Sequence, residues 1–244
     1  MNREEARTKV WAELVNVARP DSRFHLDFQE FIPDFVGSEA ATARLLEHDF
    51  YQDAQQLFIT PDNCLELLRA QVVRDGKTQI VSTYGIRRGF YLLERGDVPA
   101  GLETFAILLD SLERLGRPLP LEELAAGYRP DLLVTGASAV NLDGVRFGKG
   151  HGFFDLEWAI FYELGLVDQQ TPIVAFIHDC QLVDLPLELS PFDTLCDLII
   201  TPTQTIPIPQ PQKPTAGIIW DKLEPNMLAE IPLLLELQEK RLGE

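Results

Sequence analysis

The chain has 244 residues, 45% hydrophobic and 24% charged, a composition that supports a globular body with a sizeable core. Its 21 basic and 38 acidic residues leave a formal net charge of −17, which excludes a nucleic-acid coat or a surface that adheres to anionic lipid, since both need a basic footprint. No apolar run approaches the ~20 residues of a membrane span, residues 1–18 lack an apolar signal-peptide core, and Cys64, Cys180 and Cys196 form neither a disulfide framework nor a CxxC pair, so a cytoplasmic protein is expected.

In chain order, residues 3–17 predict a helix with Val10, Leu14, Val17 and Trp11 on one face. Residues 19–37 hold two prolines and four phenylalanines without a steady period and read as an ordered connection. Ser38 is placed as the cap of a helix over 39–47. The apolar run 56–60, ended by Pro61, predicts a buried strand. Asp62 or Asn63 then caps a helix carrying Leu65, Leu68 and Val72, which Asp75-Gly76 ends. With a strand at 78–83 this makes a parallel βαβ unit.

Residues 102–115 predict a helix stopped by Gly116. Further strands are expected at 131–135, 172–177 and 198–201, and a helix at 153–164 behind a glycine-rich stretch, 144–152. The segment 202–215 is proline-rich and expected to be extended, and a C-terminal helix falls within 224–243. No repeat of fixed period is visible. The pattern predicts one α/β domain over 1–244 with a mostly parallel sheet. In such sheets ligands bind outside the carboxyl ends of the strands, which points to the loop after Thr135 and the one before Phe153.

The second of these loops carries the chemistry. Gly148, Gly150 and Gly152 alternate, Arg146, Lys149 and His151 stand between and beside them, and a helix begins at once. Glycines let backbone N–H groups converge on an anion, the helix start adds partial positive charge, and the side chains add full charges. Local gathering of cations can override an acidic net charge. Asp155, on the first helical turn, could hold magnesium against a polyphosphate. The same pattern also suits a structural turn, and its spacing is neither that of the Walker loop nor that of the dinucleotide fingerprint.

The run Gly144-Val145-Arg146-Phe147-Gly148-Lys149-Gly150-His151-Gly152-Phe153-Phe154-Asp155 resembles the signature G-x-R-x-G-x-G-x-G-[YF]-[YF]-D of the 5-formyltetrahydrofolate cyclo-ligase (5,10-methenyltetrahydrofolate synthetase) family. The stretches 3–7, 129–134, 181–186 and 197–202 are similar to further family segments in the same order, and the likeness is weak over 19–121. The resemblance implies a three-layer α/β/α fold, ATP and magnesium as cofactors, and cyclisation of 5-formyltetrahydrofolate to 5,10-methenyltetrahydrofolate with release of ADP and phosphate. It implies that Arg3 and Arg7 approach the phosphates. Arg146 and the backbone of Gly148, Gly150, His151 and Gly152 would cradle them. Lys149 would stabilise the transferring group, with Arg146 beside it, and Asp155 would serve the metal. Asp62 stands nearest to the glutamate with which the family places its folate.

Phe153-Phe154-Asp155-Leu156 replaces a common Tyr-Tyr-Asp-Arg, so two hydroxyls and an arginine are absent. In this, and in Ile32-Pro33-Asp34-Phe35, the chain resembles the family's divergent branch of methenyltetrahydrofolate synthetase domain-containing proteins. For that branch the alternative is a non-cyclising homologue that binds nucleotide or folate as a regulatory module. Further substrate-binding candidates are Tyr84, which could stack a ring, and Arg87, which could meet a carboxylate or phosphate. Core packing for Tyr84, Phe90 and Tyr91, a solvated loop for Arg87 and Arg88, and a rim position for His178 are the structural alternatives.

Overall fold

The predicted strands lack polar alternation because both faces of their sheet are covered. The computed structural model describes residues 2–94, 96–184 and 186–243. Its strands are β1 (Gln56–Ile59), β2 (Thr78–Ser82), β3 (Phe90–Leu93), β4 (Arg117–Leu119), β5 (Leu132–Gly136), β6 (Ala139–Asn141), β7 (Arg146–Phe147), β8 (Ile173–Phe176), β9 (Leu182–Val183), β10 (Leu198–Ile200) and β11 (Thr205–Pro207). The main sheet has the order β11-β10-β8-β5-β1-β2-β3-β4, and β7-β6-β9 form a smaller one. Strands β10, β8, β5, β1 and β2 run parallel, while β11, β3 and β4 are antiparallel additions at the edges.

Successive side chains of each central strand enter opposite layers. Phe58, Leu133, Ala175 and Ile199 pack against Trp158 and Phe161 of the helix Phe153–Glu163 and against Leu234 of the C-terminal helix Pro232–Gly243. On the other face Leu57, Ile59, Val134 and Phe176 meet Leu45 of the helix Ser38–Leu46 and Leu68 and Val72 of the helix Glu66–Arg74. This is the three-layer α/β/α architecture. The first helix, Arg3–Leu14, is capped by Asn2 and Glu5 and lays Ala6 and Val10 on the small sheet, against Ala139 and Phe147.

From β1 the chain crosses to β2 on one side, whereas β5 enters on the other, in register Phe58↔Leu133. The order thus reverses between β1 and β5, and a crevice opens beyond their carboxyl ends. The proline-rich segment is extended as expected. It adds β11 to the sheet edge, where proline is tolerated. Beyond it Lys213 is buried against Asp197 at 2.8 Å, and Trp158 Nε1 donates to Pro214 O at 3.0 Å.

Several expected elements are corrected. The first helix ends at Leu14 rather than 17, because Ala18 bridges to Phe35. Ser38 is not a cap. Gly37, at φ +92°, holds that position, and Ser38 lies buried inside the helix. The helix expected at 102–115 splits into Glu103–Ala106 and Leu109–Leu115, with the Ile107 carbonyl drawn to the Arg69 guanidinium at 3.1 Å. The C-terminal helix is broken ahead of Pro232 into Met227–Glu230 and Pro232–Gly243, since proline has no N–H to continue the first piece. Phe90 and Tyr91 are core residues of β3. Leu185, part of the stretch 181–186, lies outside the described residues. Among the described residues no helix is long and apolar enough to cross a membrane.

Candidate functional site

The crevice at the switch point is an open cleft. Thr60 and Asp62 reach it from the end of β1, Thr135 and Gly136 from β5, and Ser82 to Gly85 from β2. The glycine-rich segment and the start of the helix Phe153–Glu163 form the opposing wall. Both loops expected from the sequence therefore face one space.

Asp62 is held rigidly. Its Oδ2 accepts from Thr60 Oγ1 at 2.5 Å and from the Gly136 N–H at 2.9 Å. Only glycine fits at 136, because a Cβ there would stand 2.8 Å from Ile32 Cγ2 and 3.0 Å from both Asp62 Oδ2 and Cys64 Sγ. Beneath the loop, the buried Arg69 guanidinium donates to the Thr60 and Asp62 carbonyls, each at 2.8 Å. Burial lowers its pKa below the arginine norm, with Glu66 and Asp62 acting against that. Sequence reasoning missed Arg69. Its one signal is an arginine next to Leu68 in a helix whose other inward residues are apolar.

Lys149 enters the cleft from the other wall. Its Nζ donates to Glu30 O at 2.7 Å and stands 4.8 Å from the centre of the Tyr84 ring. Burial pushes its ammonium pKa down, and Asp62 and Glu30 act against that. Tyr84 lines the cleft, stacks on Phe24 at 5.9 Å, and donates its hydroxyl to Glu30 O at 3.0 Å. Asp62, Lys149 and Tyr84 are thus brought together.

The cradle itself needs its glycines where φ is positive, at Gly150 (+124°) and Gly152 (+67°), the latter being the N-cap of the helix. Arg7 Nε donates to Gly148 O at 2.9 Å, and its guanidinium lies 5.1 Å from the Phe147 ring centre. Among the described residues the terminal nitrogens of Arg7 have no hydrogen-bond partner. His151 also lines the cleft, exposed and 5.5 Å from the Phe153 ring.

Other expected residues sit differently. Arg146 is not a free cation. It is 2% exposed, pairs with Asp155 Oδ1 at 2.6 Å, and lies 4.0 Å from the Phe154 ring centre. Asp155 Oδ1 also accepts from the Thr194 N–H at 2.9 Å. Burial raises the Asp155 pKa, and Arg146 acts against that. The pair forms the floor beneath the cradle. Arg3 is turned to Asp193, Ser190 Oγ and the Glu188 carbonyl, and does not line the cleft. Arg87 is corrected likewise. It bridges to Glu230 of the C-terminal region at 2.8 Å on the outer surface. His178 caps a short turn, its Nδ1 accepting from the Cys180 N–H at 3.2 Å.

A further cleft residue was unforeseen. Glu157, 2% exposed, lines the cleft floor with Ser82 as its hydrogen-bonding neighbour, and its Oε2 has no partner among the described residues. Burial pushes its pKa up to about 8. An acid between Leu156 and Trp158 on an apolar helix was its signal in the sequence. A buried carboxyl with one unbonded oxygen facing a cleft is costly to the fold.

The chain is similar to several known proteins. The chain is 29% identical over 253 residues to the methenyltetrahydrofolate synthase domain-containing protein of Homo sapiens, covering 98% of this chain and 62% of that one. It is 32% identical over 245 residues to the protein of the same name in Danio rerio, covering 96% and 61%. The chain therefore spans about three fifths of the length of these relatives. The NMR structure of Aquifex aeolicus 5,10-methenyltetrahydrofolate synthetase has the same fold, with a TM-score of 0.51 at 16% identity over 86% of this chain and 94% of that one. The model of the 5-formyltetrahydrofolate cyclo-ligase family matches residues 1–202, and on that match the chain belongs to this family.

Proposed function

We propose that the chain closes 5-formyltetrahydrofolate to 5,10-methenyltetrahydrofolate at the expense of ATP, releasing ADP and phosphate. One observation carries this reading: the Lys149 ammonium and the Asp62 carboxylate line the same cleft beside the glycine cradle at the switch point. The formyl oxygen takes the γ-phosphoryl group, the 10-nitrogen then attacks the formyl carbon and loses its proton, and phosphate leaves with the former formyl oxygen. Little covalent work falls to the protein, which positions the reactants and stabilises charge. Backbone N–H groups of the cradle and the helix start hold the phosphates, with Arg7 beside Gly150. Lys149, partly desolvated, acts on the transferring group more strongly than a hydrated lysine would. Asp62 and Tyr84 place the folate.

Among the described residues no three His, Cys, Asp or Glu side chains converge to form a metal cage. Asp155, which lines the cleft beside the cradle, would be the carboxylate to hold magnesium against a polyphosphate, through the oxygen that Arg146 and Thr194 do not occupy. Bound magnesium supplies neutralisation of phosphate charge. A cytoplasmic setting goes with the free thiols of Cys64, Cys180 and Cys196. The test mixes protein, ATP, magnesium and 5-formyltetrahydrofolate and follows absorbance of the methenyl product. No product above the protein-free control, with folded protein, overturns the reading.

A second reading, a non-cyclising homologue that binds the same ligands as a regulatory module, is favoured by the closed Arg146–Asp155 pair and by the hydroxyl-free Phe153 and Phe154. It predicts a rise in melting temperature with ligand but no turnover.

A further inference from the structure

The phosphoryl chemistry makes no use of Glu157. Its side chain is 2% exposed, it lines the cleft, and its Oε2 has no partner among the described residues. Nothing in the helix asks for an acid there. Leu156, Trp158, Ile160 and Phe161 beside it are all buried and apolar, so a leucine at 157 would suit the packing better than a carboxyl does.

The hydroxyls that share the cleft with Glu157 have already committed their protons. Thr60 Oγ1 donates to Asp62 Oδ2 at 2.5 Å, Thr135 Oγ1 to the Gly136 carbonyl at 3.0 Å, Thr83 Oγ1 to the Gly89 carbonyl at 3.1 Å, and the Tyr84 hydroxyl to Glu30 O at 3.0 Å. Ser82 is the hydrogen-bonding neighbour of Glu157 itself. These groups therefore offer oxygens that accept. The matching buried donor is Arg146 Nε, which also has no partner among the described residues. The walls are aromatic. Phe24 and Tyr84 stack 5.9 Å apart, and the tip of the Phe153 ring lies 3.4 Å from where a Gly85 Cβ would stand.

Aromatic walls over an accepting floor fit a flat heterocycle whose buried edge carries N–H groups. A purely apolar ring would leave the Glu157 oxygen unpaired, and an anionic edge would meet Glu157 and Asp62 together. We infer that Glu157 is a ring-reading residue: its free carboxyl oxygen accepts from an N–H group on the buried edge of the substrate's pteridine and so sets which heterocycles the cleft admits. The inference rests on reading the cleft as a folate site. It adds a contact from beyond the glycine signature, which ends at Asp155, and on the opposite wall from Asp62.

Glu157→Leu and Glu157→Gln test it, with melting temperature and calorimetric binding measured on the intact chain. Removing the unpaired oxygen leaves the Glu157→Leu melting temperature at or above the parent's. Its affinity for 5-formyltetrahydrofolate falls at least tenfold, while its affinity for inorganic tripolyphosphate stays within twofold. Glu157→Gln keeps an accepting oxygen and loses less folate affinity than Glu157→Leu. Pterin and lumazine read the edge directly, since lumazine carries a carbonyl where pterin carries its amino group. The parent prefers pterin, and Glu157→Leu binds the two alike. A Glu157→Leu protein that keeps the parental folate affinity, or that melts below the parent, overturns the inference and leaves the folate reading standing. Equal binding of pterin and lumazine by the parent overturns it without either variant. A parent that binds tripolyphosphate but no 5-formyltetrahydrofolate overturns the folate reading, and this inference with it.

Discussion

The most exposing perturbation is the smallest one, Gly136→Ala at the end of β5. The added methyl would sit 2.8 Å from Ile32 Cγ2 and 3.0 Å from Asp62 Oδ2 and Cys64 Sγ, against an optimum of about 3.5–4.0 Å between carbon atoms. None of the three is the free end of a long side chain. Overpacking of this kind costs about 1–3 kcal/mol. Pushing Asp62 aside also weakens its 2.9 Å bond from the Gly136 N–H, a hydrogen bond to a charged group, of the class worth about 1.5–3 kcal/mol. A loss of about 3 kcal/mol lowers the melting temperature of a chain this size by roughly 6–12 °C. Gly148→Ala is the control, since no atom lies within 4 Å of a Cβ there and its φ is not in the left-handed region. Calorimetric melting of both variants, with folate titration into each, reads the result. Gly136→Ala melting within 2 °C of the parent would refute the claim that this glycine sets Asp62.

Four further outcomes are expected. Lys149→Ala lowers turnover by about 10²–10³-fold, the cost of removing one preorganised charge stabiliser, while its melting temperature stays close to the parent's; unchanged turnover in a product assay counts against the site. Gly150→Val, forced to φ +124°, loses ATP binding by calorimetry more completely than Lys149→Ala does. Arg146→Met strands the buried Asp155 carboxylate and costs about 3–5 kcal/mol in denaturant melts, with the double variant Arg146→Met, Asp155→Leu recovering most of it. Burial acts upward on the Asp21 carboxyl, but bonds from Arg23, Asn63 and the Phe24 N–H hold it down at about 2. Its pKa is lower folded than unfolded, so its contribution is present above the ordinary carboxylate range and is lost as pH falls through about 2. Asp21→Asn should therefore flatten the acid limb of a melting-temperature profile between pH 4 and 2, and an unchanged limb would reject the assignment.

Legibility in the sequence followed burial. Strands β1, β5, β8 and β10 stood out as apolar runs because helices cover both faces of the sheet. Strands β6, β7 and β9 have two or three residues each and form only because the chain ends up beside itself there, so no window of sequence announces them. The sequence predicts no strand at β3; Phe90 and Tyr91 suit either ring stacking or the core, and their pairing with β2 puts them in the core.

In the site, the sequence by itself determined the glycine spacing and the adjacent Lys149, since each is a local property of a turn, while Asp62 entered through the family resemblance. The tertiary structure alone decided which charges stay available. Arg146 is neutralised by a carboxylate nine positions on, Arg3 by a loop near residue 190, and Arg87 by Glu230. It alone turned Arg69 and Glu157 from helix residues into the support and the floor of a cleft. The physical reason is that a side chain's charge and hydrogen-bonding capacity depend on what surrounds it, and those surroundings come from segments far away in the chain.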